Sequence, residues 1–294
     1  MLLGASAVVS PLVSAGNTIT DSSKSIRSLK KGIGFDMIKE DLSILGKFKL
    51  VKDLGFDGIE FNTPTELNKS EIIKAKEKTG IELPSVINCD HWKKPLSDPD
   101  PEIREECILS IAQSLQDVKD FGGDTVLVVP GVVNEKVSYD QAYHTSIDSI
   151  RKLIPYVEKT GIQIALENVW NNFILSPIEA KRFVDEINHP LIGWYFDIGN
   201  ILRYGWPEQW MTVLNRRIMK LHIKEFSRKK MNNEGLYAGF KVKLTDGDIN
   251  WPLVMKTVKT INYKGEWIRA EVSGGDRNRL KDISERMDKI LSYL

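Results

Sequence analysis

Cysteine and histidine are scarce in this chain: Cys89 and Cys107, with His91, His144, His189 and His222, are all that 294 residues contain. Two cysteines outside any CxxC pair exclude a disulfide framework, a thiolate zinc site and a dithiol redox centre, and they read as inert thiols. Four scattered imidazoles exclude a site built from several of them. Net charge is missing as well. The 41 Lys+Arg and 40 Asp+Glu leave a formal +1, so no global field draws the molecule to nucleic acid or to an anionic membrane. The expected partner is a small molecule. No hydrophobic run reaches the roughly 20 residues that a bilayer span requires, so no membrane span is expected.

Hydrophobic residues make up 41% of the chain, charged residues 28% and aromatics 9%, the balance of a well-cored globular protein. The length admits two ordinary domains or one α/β barrel of about 250 residues. Residues 1–16 (MLLGASAVVSPLVSAG) form an apolar, small-residue stretch that reads as the remnant of a leader, although the first positive charge is Lys24 and a secretory signal opens on a basic region. A start codon assigned too late would explain that gap, with a disordered apolar tail as the alternative. Export to the periplasm is the expectation, with the cytoplasm as the alternative. Residues 17–31 are polar and Ser-rich, as linkers are.

From Gly32 to the end, β-rich runs alternate with amphipathic segments. The strand candidates are 32–38, 58–63, 83–89, 124–130, 162–168, 191–198, 218–226 and 266–272, eight in all. Helical patterns cover 41–54, 70–79, 101–121, 138–160, 177–188, 207–216, 251–263 and 278–293. Gly55, Gly80, Gly122 and Gly161 each close an amphipathic run, and Pro177 and Pro207 each open one. This rhythm predicts parallel strands joined by crossover helices, a single (β/α)₈ TIM barrel over 32–294. An open doubly wound sheet is the second choice, but GFDMIKED after the first strand carries no Gly-rich phosphate loop.

In such a barrel, chemistry sits where strands end. Four consecutive strands each supply one ionisable residue at the C-terminal end: Glu167 after Ile164-Ala165-Leu166, Asp197 after Trp194-Tyr195-Phe196, His222 after Met219-Lys220-Leu221 and Glu271 after Ile268-Arg269-Ala270. Neighbouring strands lie about 4.8 Å apart, so these positions converge on one rim. Three carboxylates packed there repel one another unless a cation sits between them. Three oxygens and one nitrogen suit one hard or borderline divalent ion, Mn²⁺ first, then Mg²⁺ or Co²⁺, with Zn²⁺ less favoured.

The segments ALEN (165–168), YFDIGN (195–200), LHIKEFSR (221–228), DGDINW (246–251) and RAEV (269–272) resemble the xylose isomerase-like TIM-barrel superfamily, in its sugar isomerase and epimerase branch. The resemblance covers nearly all of 32–294. It implies metal ligation by Glu167, Asp197, His222 and Glu271, acid–base catalysis by Glu167 and Glu271, and substrate binding by Arg228, six residues beyond the histidine. Tagatose-epimerase relatives carry histidine three residues after the metal aspartate, where this chain has Asn200. The DIGN form resembles the hexulose-phosphate epimerase group, with Asn200 at the substrate. The implied reaction is epimerisation or isomerisation of a ketose or ketose phosphate through a cis-enediolate, with one carboxylate removing a proton and the other returning one.

Other residues near strand ends join the candidate list. His91 and Trp92 follow the third strand as a sugar-facing pair, Trp170, Asn171 and Asn172 follow Glu167, and Lys224 shares the inward face with His222. His144 and His189 read as solvated. The stretch 227–250 is long for a βα loop, as lids and disordered segments are, and its Lys and Arg residues read as a solvated charge run, with an anion site for a substrate phosphate as the alternative. A histidine-rich multi-zinc nuclease and a non-catalytic sugar-binding barrel fit less well. A metal-dependent lyase or dehydratase acting on keto-sugars or 3-keto-glycosides is the nearest rival. A homo-oligomer is compatible with all of these readings.

Overall fold

The computed structural model describes residues 29–294; the leader expected at 1–16 and most of the expected linker lie outside them. Eight parallel strands close into one barrel in sequence order. They are β1 (Lys30–Gly34), β2 (Gly58–Thr63), β3 (Ser85–Asn88), β4 (Thr125–Val128), β5 (Gln163–Glu167), β6 (Ile192–Asp197), β7 (Ile218–Ile223) and β8 (Trp267–Ala270). Around them run α1 (Ile44–Asp53), α2 (Lys69–Thr79), α3 (Pro101–Phe121), α4 (Tyr139–Thr160), α5 (Pro177–Ile187), α6 (Pro207–Leu214), α7 (Arg228–Glu234), α8 (Trp251–Thr260) and α9 (Arg277–Leu291). The single (β/α)₈ barrel expected from the alternation is therefore the observed fold.

Local chemistry sets the element ends. Ser176 accepts a hydrogen bond from the Glu179 amide at the start of α5, while Gly80, Gly122 and Gly161 take left-handed conformations that end α2, α3 and α4. Side chains such as Phe48, Ile111, Phe183 and Val254 fill the layer between strands and helices. Inside the barrel, the apolar cluster is small: Leu127, Ala165 and Tyr195, with Ile87 and Met219 against it. The rest of the interior is polar.

Several boundaries depart from the sequence pattern. β1 starts at Lys30 and stops at Gly34, not at residue 38, because Phe35–Met37 turn into a 3₁₀ helix that lays Phe35 on Phe61 with ring centroids 4.5 Å apart. β7 stops at Ile223, because the chain turns there and the Glu225 carboxylate accepts the Phe226 amide at 3.2 Å. The stretch 227–250 is not a bare loop: it holds α7 and a 3₁₀ helix over Leu236–Phe240. The chain also pins it, since Glu225 accepts from Thr245 N at 2.7 Å, Ile249 N at 3.3 Å and Trp251 Nε1 at 2.8 Å.

Candidate metal centre and cavity

Glu167 is the last residue of β5, Asp197 the last of β6, His222 the fifth of β7, and Glu271 follows β8. Asp197 pairs in register with His222. One donor atom from each of the four lies within 4.8 Å of the others. His222 Nδ1 is 2.9 Å from Glu167 Oε1 and 3.2 Å from Glu271 Oε2. Alternation along the strand puts Lys224 on the same side as His222, and its Nζ lies 3.2 Å from Asp197 Oδ2 and 2.9 Å from Glu271 Oε2. Gly199 makes room for it, since a Cβ there would come within 2.3 Å of Lys224 Cγ.

The charges here are unusually costly to bury. Burial, then the Glu271 charge, pushes the Glu167 carboxyl up. Burial likewise raises Asp197, to about 7, against the opposing pull of Lys224. Glu271 is driven the other way: burial works against its ionisation, but Lys224 and His222 outweigh it and hold the carboxyl well below the usual range. Despite the nearby ammonium, Asp197 Oδ2 and Glu271 Oε2 accept no directed hydrogen bond. Two carboxylate oxygens held by ion pairs without a directed hydrogen bond, within a set of three carboxylates and one imidazole, fit a divalent cation.

The other predicted residues separate into two groups. His91, Trp92 and Lys224 line a cleft of about 580 Å³ above the cluster, together with Asn62, Arg269 and Glu271. His91 is buried and accepts the Val129 amide at Nδ1, and burial lowers its pKa to about 4. Trp92 is half exposed and meets His91 edge-on.

Asn200, Trp170 and Arg228 lie away from the cleft wall, with their polar groups engaged elsewhere. The Asn200 amide donates to Asp197 Oδ1 at 2.7 Å, its side chain donates to Asn168 O at 3.0 Å, and its carbonyl accepts Trp170 Nε1 at 2.8 Å. Arg228 donates to the carbonyls of Leu202 at 2.8 Å and Gly205 at 2.6 Å, and its guanidinium lies over Trp206. Asn171 and Asn172 tie their loop to Gly131 O and Val133 O. His144 is exposed as expected, whereas His189 is mostly covered and accepts the Leu191 amide.

Sequence reasoning passed over several participants. Asn168 clamps β6 from both sides, donating to Asp197 O at 2.7 Å and accepting Asp197 N at 2.9 Å. Glu60 of β2 and Arg269 of β8 are buried below the cluster and form an ion pair at 2.8 Å. Burial is the largest single influence and opposes the Glu60 charge, but Arg269, His222 and Ser85 together outweigh it and lower the carboxyl to about 2. The available signal was the alternation of GIEFNT, which turns Gly58, Glu60 and Asn62 to one face.

Similarity to known proteins is consistent with this geometry. A family model described as xylose isomerase-like TIM barrel matches residues 48–293. A putative L-ribulose-5-phosphate 3-epimerase of Escherichia coli strain K12 is 20% identical over 264 residues, covering 83% of this chain and 88% of the relative. Among solved structures, the 3-keto-D-glucoside 4-epimerase YcjR of E. coli superposes with a TM-score of 0.74 at 19% identity, covering 90% of this chain and 99% of that one. An L-ribulose 3-epimerase gives 0.75 at 14% identity, covering 90% and 95%.

Proposed function

Because this chain belongs to the xylose isomerase-like TIM-barrel family, we propose that it is a divalent-metal-dependent sugar epimerase or isomerase acting on a ketose or ketose phosphate. The observation that carries the reading is the set of Glu167, Asp197, His222 and Glu271, with two oxygens left without hydrogen bonds. Those four residues would hold one ion, Mn²⁺ by preference, and when bound it supplies Lewis-acid polarisation of a carbonyl and its neighbouring hydroxyl. The relatives named above include epimerases of ketose phosphates and of a keto-glucoside, which supports the same class of chemistry.

The chain's own residues then divide the work. One of Glu167 and Glu271 takes the proton from the carbon beside the carbonyl at a carboxylate oxygen, and the other returns a proton to that carbon or to its neighbour. Lys224, relieved of Asp197 and Glu271 once these bind the ion, is a ready donor to a substrate oxygen. His91, kept neutral by burial, supplies a hydrogen-bonding edge, and the exposed face of Trp92 supports the apolar side of a sugar ring. Export, were residues 1–16 a leader as their composition suggests, would favour an unphosphorylated substrate.

Incubating the Mn²⁺-loaded enzyme with ketoses, ketose phosphates and 3-keto-glycosides in D₂O tests the reading. Deuterium at the inverted carbon marks epimerisation, and deuterium at C1 or C2 marks isomerisation. An unsaturated product marks a lyase instead. No deuterium uptake from any substrate would remove the proposal.

A further inference from the structure

Directly beneath the ligand set lies a second group of buried polar side chains with no part in the reaction above. Its centre is Glu60, 2% exposed, and the partners come from four other strands. Glu60 Oε1 accepts from Ser85 Oγ of β3 at 2.5 Å and from Tyr195 OH of β6 at 2.9 Å. Glu60 Oε2 lies 2.8 Å from Arg269 Nε of β8 and 3.3 Å from His222 Nε2 of β7. Arg269 Nη1 is itself 3.1 Å from that same imidazole nitrogen. The berth for the guanidinium needs glycine at 34, where a Cβ would fall 2.2 Å from Arg269 Nη2.

The orientation of the His222 ring gives this group a task. Nδ1 faces Glu167 and Glu271, so Nδ1 is the atom that must offer a lone pair to a cation. A neutral imidazole with Nδ1 free carries its proton on Nε2. That proton needs an acceptor in a place where water is excluded. In that tautomer Nε2 has no lone pair for Arg269 Nη1–H, 3.1 Å away, and the imidazole proton goes instead to the Glu60 carboxylate, whose Oε2 lies 3.3 Å from Nε2.

We propose that Glu60 is a positioning residue for the metal ligand His222: it accepts the Nε2–H and holds Nδ1 toward the ligand set, while Arg269, Ser85 and Tyr195 fix Glu60 itself. The inference rests on the metal-site reading. Outer carboxylates of this kind typically change metal affinity by 10- to 100-fold.

The test compares Mn²⁺ affinity by chelator competition in wild type, in Glu60→Met/Arg269→Met, and in Glu60→Gln. The double substitution removes both charges together and leaves neither buried alone. The expected result is Mn²⁺ binding weaker by about 10- to 100-fold in the double variant, with a smaller loss in Glu60→Gln, which keeps an acceptor oxygen. The visible bands of the Co²⁺-loaded protein should also shift, which a role in folding alone would not cause. Wild-type Mn²⁺ affinity and unshifted Co²⁺ bands in folded variants would overturn the inference. Should the double variant not fold, Glu60→Gln decides by the same two readouts. A wild type that takes up no Mn²⁺ removes the metal-site reading and this inference together, whereas variants that match a metal-binding wild type remove this inference only.

Discussion

Two carboxylate sites, one fully buried around Glu60 and one partly open at Glu271, share the barrel interior and are treated in opposite ways. Glu60 has both oxygens engaged, by two hydroxyls on one side and by Arg269 and His222 on the other. Asp197 and Glu271, a few ångströms above, each keep an oxygen with no directed hydrogen bond, although Lys224 stands within ion-pair distance of both. A satisfied buried carboxylate is a fixed structural element, and an unsatisfied one waits for a ligand. The fold therefore holds a closed charge network at mid-height and an open one at the rim.

Substitutions can break this contrast from either side. The largest effect is expected at the open site. Glu167→Gln should lower the rate by about 10²- to 10⁴-fold, the usual worth of a positioned acid or base. It should also cut Mn²⁺ uptake while leaving the metal-free Tm unchanged or higher, since a repulsion is relieved; calorimetry beside the rate assay checks the split. The closed site should respond the other way. Arg269→Met leaves the Glu60 charge buried without its cation and should cost about 3–5 kcal/mol of stability, read by denaturant unfolding of the metal-free protein.

Smaller changes sharpen the comparison. Asn200→Ala removes the hydrogen bond to Asn168 that helps seat Asp197 and should weaken Mn²⁺ binding more than it raises KM; a change confined to KM would put Asn200 at the substrate instead. Lowering the pH from about 8 to about 6 should weaken Mn²⁺ binding, because the Asp197 carboxyl, raised to about 7, takes up a proton that competes with the cation. Trp92→Ala should raise KM about fivefold with little effect on kcat, matching roughly 1 kcal/mol of aromatic contact with the sugar.

The open site was legible because its residues stand at the C-terminal ends of four consecutive strands, a pattern that needs only chain order and strand spacing. The closed site was not, because Glu60 lies in mid-strand, where alternation with Ile59 and Phe61 reads equally well as a strand with one solvated face. Only closure of the barrel shows that this face is the interior. Arg228 illustrates a different limit. The family resemblance implies an arginine at the substrate here, but the Arg228 guanidinium turns to the Leu202 and Gly205 carbonyls, which a motif match does not reveal. The eight strands and their order followed directly from the alternation, while the ends of β1 and β7 depended on tertiary contacts of Phe35 and Glu225.

Metal stoichiometry tests the central claim most directly. Elemental analysis after Mn²⁺ loading and removal of free ion should give about one ion per chain in the wild type and almost none in Asp197→Asn, the count a four-ligand site implies. An equal metal content in the two proteins, or none in either, would contradict the account.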